Sequence, residues 1–232
     1  MKVIQTEALL LRSVPYGEID VIATFFTRTE GKISALSRGA RKSMRRVGGA
    51  LEPVHTLFVS LEDRGRELAT LKEARIVTQR SGVVGDLDAL EAAGVALRWL
   101  RHVCPPRTPE PRAWDTVNTL LDVLDARDQP ARSALAAAAL RLLADVGYAL
   151  ELEQCVRCGR PCPPGRAAFV DTSRGGLVCQ SCGGARVRLG GDLRVRALEI
   201  AAGGNPALTK EEAEELLVLV DAAMAVHAPG FE

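Results

Sequence analysis

Aromatic side chains are scarce in this chain: they make up 4% of its 232 residues. Proteins that bind nucleic acid mainly by stacking bases on aromatic rings usually carry more of them. Long apolar runs are missing as well, since no segment approaches the roughly 18 consecutive apolar residues that cross a bilayer. The first residues have too short an apolar run, and no small-residue cleavage site, for a secretory signal. We therefore expect a globular cytoplasmic protein with no membrane partner.

The motifs of common catalytic sites are also missing. Gly31-Lys32 is followed by Ile33 and lacks the upstream glycine of a phosphate-binding P-loop. The sequence contains no G-x-S-x-G elbow, no G-x-G-x-x-G turn and no H-E-x-x-H helix. Its three histidines, His55, His102 and His227, are scattered along the chain. We therefore expect no catalytic residues, no small-molecule substrate and no enzymatic activity.

Charge is what the sequence does have, and it is divided into zones. The formal net charge is only +1, but residues 1–80 carry +5 and residues 155–196 carry +6. Residues 81–154 carry −4, and residues 197–232 carry −6. Such alternation predicts separate basic and acidic surfaces, which could hold a polyanion and a basic partner. The alternative is that these are simply solvated faces without a partner.

The first 80 residues have the period-two pattern of β-strands, with turn signals every few residues. The predicted strands are 3–12, 19–28, 32–38, 54–62 and 67–78. Five strands with a basic loop after the third are typical of an OB-fold barrel, and an SH3-like barrel is the nearest alternative. We predict an α+β, multi-domain protein whose residues 1–80 form a nucleic-acid-binding OB-fold domain.

After residue 82 the apolar period becomes that of helices, which indicates an α-helical domain over 81–232. Asp86 is a candidate cap for a first helix, with Leu90, Ala93, Leu97 and Leu100 on its apolar face. The proline-rich residues 105–112 end that helix, and further helices are predicted near 113–126 and 131–147. Thr209 and Glu212 have the spacing of a capping box before a last helix.

Four cysteines in a C-x2-C-x20-C-x2-C pattern interrupt the helical domain. They are Cys155, Cys158, Cys179 and Cys182. Two such knuckles present four thiolates to one tetrahedral zinc ion, which indicates a zinc ribbon at about 155–187. Four thiolates leave no open position for water, so the site would be structural. Disulfide or redox chemistry is the alternative. Cys162 could substitute for a ligand, and Cys104 is expected to be buried.

The residues between Gly31 and Leu51 include no acidic side chain. Their basic side chains, the predicted DNA-binding residues, are Lys32, Arg38, Arg41, Lys42, Arg45 and Arg46. In an OB-like barrel the third strand and the connection after it are offered to nucleic acid. Lysine and arginine there would bind phosphates in a salt-sensitive manner that does not depend on sequence. The alternative is a loop that only aids solubility.

Short motifs along most of the chain, up to the end of the cysteine cluster, resemble the bacterial RecO family of DNA repair and recombination mediators. They are Tyr16-Gly17-Glu18, Asp20, Phe26-Thr27, Gly31-Lys32, Arg38-Gly39-Ala40-Arg41-Lys42, Leu51-Glu52-Pro53, Leu68, Gly147-Tyr148, Cys155-Val156-Arg157-Cys158-Gly159, Phe169, Gly175-Gly176 and Cys179-Gln180-Ser181-Cys182. Their order and spacing together make the resemblance specific. Cys162 and Met44 depart from the family pattern.

The resemblance implies an OB-fold, a helical domain and, where the cysteines are kept, a zinc ribbon. It also implies binding of single- and double-stranded DNA and annealing of complementary strands without ATP. The implied partners are RecR and single-strand-binding protein. With RecR, the family helps to load RecA onto DNA that is coated by single-strand-binding protein, so a location at the nucleoid is expected. Two other functions remain open: a non-annealing interaction scaffold, and an RNA-binding OB and zinc-ribbon protein. A zinc hydrolase is more distant, because no open ligand position is visible.

Overall fold

A computed structural model describes residues 1–39 and 51–227 of the chain. The chain divides into two compact units, Met1–Arg127 and Asp128–Glu232. Among these described residues, the first unit contains a β-barrel and three helices, and the second contains three helices and a small sheet. The architecture is therefore the α+β fold expected from the sequence. None of the helices that the structure describes is long and apolar enough to cross a membrane.

Five strands form a closed barrel in the first unit, in the order β1-β2-β3-β5-β4. They are β1 (Lys2–Tyr16), β2 (Asp20–Thr27), β3 (Gly31–Ser37), β4 (Thr56–Asp63) and β5 (Ala69–Thr78). Strand β1 pairs with both β2 and β4, and β3 closes on β5 through a short parallel contact. This is the Greek-key barrel of an OB-fold, so the predicted fold is confirmed.

Alternation along the strands separates the barrel core from its outer surface. In β3, Ile33 and Ala35 are buried in the core cluster, whereas Ser34 and Leu36 are half-buried. In β4, Leu57, Val59 and Leu61 point into the same cluster. Successive side chains of a strand point to opposite faces, so the even-numbered residues of β3 lie on the outer surface. The strand pattern read from the sequence is therefore confirmed.

Three helices complete the first unit: α1 (Ser81–Val84), α2 (Leu87–Val103) and α3 (Pro111–Ala126). Asp86 caps α2 as predicted, since its carboxylate accepts a hydrogen bond from the Ala89 N–H at 2.9 Å. The predicted apolar face is wrong at one residue, because Leu90 is 37% exposed. The packed face of the first turns runs instead through Ala89, Ala92 and Ala93.

A buried arginine joins α3 to the barrel. The Arg80 guanidinium donates to the Val54 carbonyl and the Thr56 hydroxyl, both at 2.9 Å, and pairs with Asp122 on α3. The Arg80 N–H donates to His55 Nδ1 at 3.1 Å. His55 is thus a buried histidine with a hydrogen-bond partner. Because a buried guanidinium without partners is very costly, this network fixes the junction.

The second unit packs α4 (Ala131–Asp145) against α6 (Lys210–His227), with α5 (Gly191–Ala201) beside α4. The predicted capping box of α6 is present: the Glu212 N–H donates to Thr209 Oγ1 at 3.2 Å, and Glu212 accepts from the Thr209 N–H. Between α4 and α5 along the chain come four short strands, β6 (Glu151–Cys155), β7 (Ala168–Asp171), β8 (Gly176–Leu177) and β9 (Val187–Leu189), which form a sheet in the order β6-β8-β7-β9. The last barrel strand ends at Thr78, and α1 to α3 fall in the same compact unit as the barrel.

Candidate metal centre and nucleic-acid interface

The cysteine module is built on the small sheet of the second unit. Its strands are β6 (Glu151–Cys155), β7 (Ala168–Asp171), β8 (Gly176–Leu177) and β9 (Val187–Leu189). β7 and β8 form a short antiparallel hairpin between the two knuckles. The first knuckle begins where β6 ends, and the second follows β8 and includes a short 3-10 turn, Gln180–Cys182. The hairpin therefore brings two distant cysteine pairs together.

The four sulfurs form one cluster. Those of Cys155, Cys158, Cys179 and Cys182 all lie within 4.8 Å of one another. The Sγ atoms of Cys158 and Cys179 are 3.7 Å apart, close to the edge of about 3.8 Å in a tetrahedron with Zn–S bonds of about 2.3 Å. A disulfide would require about 2.05 Å. The predicted ligand set is thus brought together in a geometry that can hold one metal ion.

Hydrogen bonds in the cluster favour thiolates at some positions. The Cys179 N–H donates to Cys155 Sγ at 3.4 Å, and this bond, with the N–H groups of Arg157 and Cys158, lowers the pKa of Cys155 to about 6. The Ser181 hydroxyl lowers the pKa of Cys179 in the same way. Hydrogen bonds to Cys179 and Cys158 raise the pKa of Cys182 to about 12. N–H groups that stabilise a thiolate also suit a metal–thiolate centre.

The two remaining cysteines lie outside this cluster. Cys162 is half-buried, and its thiol lies 4.0 Å from the Arg166 carbonyl oxygen; its predicted ability to replace a ligand stays a prediction. Cys104 is buried as expected, and desolvation raises its pKa to about 12. A thiol held protonated in this way behaves as a small apolar side chain.

The predicted DNA-binding residues are only partly within the described chain. Arg38 lies directly after β3 and is exposed, and the next residue, Gly39, donates its N–H to the Asp20 carboxylate at 2.8 Å. Arg41, Lys42, Arg45 and Arg46 lie outside the described residues. The DNA-binding role of these residues stays a prediction.

Lys32 occupies a different environment from Arg38. Its ammonium donates to the main-chain carbonyl of Arg101 at 2.5 Å, and burial lowers its pKa. Next to it on the outer face of the barrel, Phe26 is buried against Trp114 of α3, with ring centroids 6.1 Å apart. Helices of the same unit therefore cover this end of the face formed by β2 and β3.

The opposite end of that face carries side chains that sequence reasoning did not assign to the site. Arg12 pairs with Thr24, and Tyr16 pairs with Asp20, in the antiparallel register of β1 and β2. Both Arg12 and Tyr16 are exposed, Tyr16 at 55%. Tyr16 was noted only within a motif. Its proximity to the third strand follows from strand pairing, and a sequence cannot show this without the register.

Comparison with known proteins agrees with this geometry. A family model described as "Recombination protein O N terminal" matches residues 1–80, and one described as "Recombination protein O C terminal" matches residues 84–230. The chain belongs to the RecO family. The similarity thus covers the OB-fold barrel, the helices and the cysteine module alike.

Individual relatives support this membership. A "DNA repair protein RecO" from Anaeromyxobacter sp. (strain K) is 36% identical over 77% of this chain and 70% of its own length. The protein of that name from Geobacter metallireducens is 31% identical over 98% of this chain and 93% of its own length. The protein of that name from Myxococcus xanthus is 35% identical over 76% of this chain and 71% of its own length. RecO family membership supports a role in DNA repair and recombination.

Proposed function

We propose that this protein is a recombination mediator that binds single- and double-stranded DNA and anneals complementary strands without ATP. The observation that carries the proposal is the exposed Arg38 at the end of β3 of an OB-fold barrel. Arg38 begins the basic segment that the sequence places after this strand. OB-folds bind oligonucleotides at this sheet and its neighbouring loops.

The proposed mechanism is electrostatic. Cations at the end of the barrel bind phosphates of one strand and release counterions. The cysteine module supplies a second basic surface through exposed arginines, which are Arg157, Arg160, Arg166, Arg186 and Arg188. Holding two strands near cations lowers their mutual repulsion, so complementary bases can search for pairing. No covalent step is needed, and the proposal assigns no catalytic residue.

The face formed by β2 and β3 is covered by helices at one end, and this determines the path that we propose for a single strand. Trp114 and the Arg101 carbonyl occupy the face beside Phe26 and Lys32. The strand therefore runs over the opposite end, past Tyr16 and Arg38. Among the six predicted residues, Lys32 would share its ammonium between a phosphate and the Arg101 carbonyl. We therefore assign it the smallest contribution to DNA affinity.

The metal proposed for the cysteine cluster is one structural zinc ion. Cys155, Cys158, Cys179 and Cys182 would supply four thiolates, which complete a tetrahedron. The ion would fix the knuckles and keep the basic surface of the module in place. The family resemblance further suggests RecR and single-strand-binding protein as partners, RecA loading as the outcome, and a cytoplasmic location at the nucleoid. Acidic residues of α6, such as Glu211 and Glu215, would contact a basic surface on one of these partners.

Annealing of labelled complementary oligonucleotides without nucleotide tests the proposal. We expect the protein to accelerate the pairing of two complementary DNA strands at low salt, and to accelerate it less at physiological salt. A matched RNA pair is measured alongside. A strong preference for RNA would favour an RNA-binding protein, and no acceleration by a folded, metal-loaded protein would favour a scaffold. Either result would overturn the annealing proposal.

A further inference from the structure

The cysteine module contains a cavity of about 440 Å³ beside the metal centre. Its lining comes entirely from residues between Cys155 and Arg188. The charged residues of the lining are three arginines, Arg160, Arg166 and Arg188, and the lining includes no acidic side chain. A concave site with charge of one sign concentrates ligands of the opposite sign. The cavity is therefore suited to an anion.

The arginines of the cavity differ in their partners from others in the same unit. Arg174 pairs with Asp171 at 3.0 Å, and Arg196 pairs with Glu212. Within the described residues, by contrast, no carboxylate forms an ion pair with Arg160, Arg166 or Arg188. Arg160 donates to the Ser181 hydroxyl at 3.2 Å, which orients its guanidinium beside the second knuckle. Three guanidinium groups around one cavity thus retain donors for an external anion.

The wall of the cavity is held in place by a buried side chain. Arg194 of α5 is 1% exposed, and its guanidinium donates to the carbonyl oxygens of Cys162, Pro163 and Arg166. These three carbonyls belong to the segment that also carries the lining residues Pro163 and Arg166. Cys155 and Cys179 of the cysteine cluster also line the cavity. A site whose wall is already fixed loses little conformational entropy when a ligand binds.

The lining also includes the polar residues Gln180 and Ser181, several apolar side chains and one aromatic ring. Phe169 of β7 is half-buried, and a Cβ at Gly184 would lie 3.9 Å from its ring. Leu177 and Val178 add buried apolar surface. An aromatic ring next to guanidinium groups matches a ligand that has a planar base and a phosphate.

We propose that this cavity binds one nucleotide unit, with its phosphate at Arg166 and Arg188 and its base against Phe169. A cavity of about 440 Å³ lies within the roughly 300–1,000 Å³ of typical ligand sites. The nucleotide could belong to the end of a DNA strand or be free in solution. For a DNA end, the inference rests on the proposed function. The site is separate from the barrel, so each can be tested alone.

Calorimetric titration of the intact, metal-loaded protein with 2′-deoxyadenosine 5′-monophosphate is the first test. We expect binding of the monophosphate and much weaker binding of deoxyadenosine, because the arginines need the phosphate. The variant R166A/R188A removes the side chains but keeps the Arg166 carbonyl that Arg194 binds. It should lower affinity at least tenfold, since a hydrogen bond to a charged group contributes about 1.5–3 kcal/mol. R174A, in the same module but outside the cavity, is the matched control and should bind normally.

The source of the nucleotide is distinguished with short oligonucleotides that do or do not carry a 5′-phosphate. A DNA-end site predicts tighter binding of the phosphorylated oligonucleotide, and loss of that difference in R166A/R188A. A site for free nucleotide predicts no such difference. Annealing is measured in the wild-type protein and in Arg38→Ala, which leaves every residue of the cavity intact, so failure of the barrel proposal is seen separately.

Two outcomes would overturn the inference. The first is a wild-type protein with full metal content that binds neither the monophosphate nor the phosphorylated end. The second is an R166A/R188A variant that loses metal but keeps its nucleotide affinity. That result would mean that the arginines only balance the net charge of −2 that four thiolates and one divalent ion carry. F169A provides an independent check, because it should weaken nucleotide binding without changing metal content.

Discussion

Gly31 is the point at which the barrel meets the connection between α2 and α3. Its φ of +66° lies in the left-handed region that favours glycine. A Cβ at this position would overlap the main-chain carbonyl of Thr108. The neighbouring Lys32 carbonyl accepts a hydrogen bond from the Arg107 N–H at 2.9 Å. Two constraints, backbone conformation and close approach, therefore act on the same residue.

Replacing Gly31 with alanine should destabilise the first unit by about 2–4 kcal/mol, since backbone strain and a forced shift of the connection act together. Gly17→Ala is the matched control: Gly17 has a φ of +59°, but no atom of the described part of the chain lies within 4 Å of its added Cβ. It should cost about 1 kcal/mol from conformation alone. Urea denaturation of the three proteins measures the difference. Equal losses in the two variants would contradict the role given to the Thr108 contact.

At the scale of residues, local signals were predictable and long-range partners were not. Asp86, Thr209 and Glu212 act within one helical turn, so their spacing in the sequence is sufficient. Arg80 and Arg194 are buried by partners 24 to 42 residues away. In a chain with 25 arginines, nothing local distinguishes a buried arginine from an exposed one. The cavity that Arg194 supports could not be predicted for the same reason.

At the scale of elements, periodicity predicted the strands of the barrel within a few residues. The strands β6 and β9 were not predicted, because they are five and three residues long and pair only around the cysteine knuckles. Spacing of the cysteines did predict the ligand cluster, since four thiols in two short knuckles have few other arrangements. The apolar periodicity of the helices could not show that α1 to α3 belong to the same compact unit as the barrel.

Removing the metal should unfold the cysteine module and leave the barrel folded. The small sheet buries few apolar side chains, among them Leu152, Val170 and Leu177, so its stability depends on the centre. A chelator should therefore increase amide hydrogen exchange in residues 151–189 but not in β1 to β5. Zinc content and hydrogen exchange measured by mass spectrometry check this.

Single cysteine variants make that experiment specific. Cys155→Ser removes one ligand and should reproduce the effect of the chelator. Cys162→Ser is the matched control, because Cys162 lies outside the cluster of four, and it should keep full zinc content. Zinc loss in Cys162→Ser would show that this thiol does serve as a ligand. Unchanged exchange in Cys155→Ser would show that the module does not depend on the metal.

At the scale of the whole molecule, the net charge of +1 is the sum of acidic regions and two basic regions, and the two basic regions are built on different kinds of structure. The first follows a barrel strand, where Arg38 is exposed at the end of β3. The second is a small module whose two knuckles bring four cysteines together, with exposed arginines around them. Acidic helices follow each of them in the chain. Two regions with like charges concentrated in this way are suited to attract a polyanion.

The salt dependence of DNA binding measures how many of these charges contact phosphates. For single strands, the logarithm of the affinity falls with the logarithm of salt concentration by about 0.7 for each phosphate neutralised. Replacing Arg38, Arg41 and Lys42 with alanine should therefore reduce the slope by about 2 and weaken binding at every salt concentration. The control is Arg112→Ala, which removes an exposed charge from α3 in the same unit. An unchanged slope in the triple variant would exclude these residues from the interface, and an equal change in R112A would reduce their effect to net charge alone.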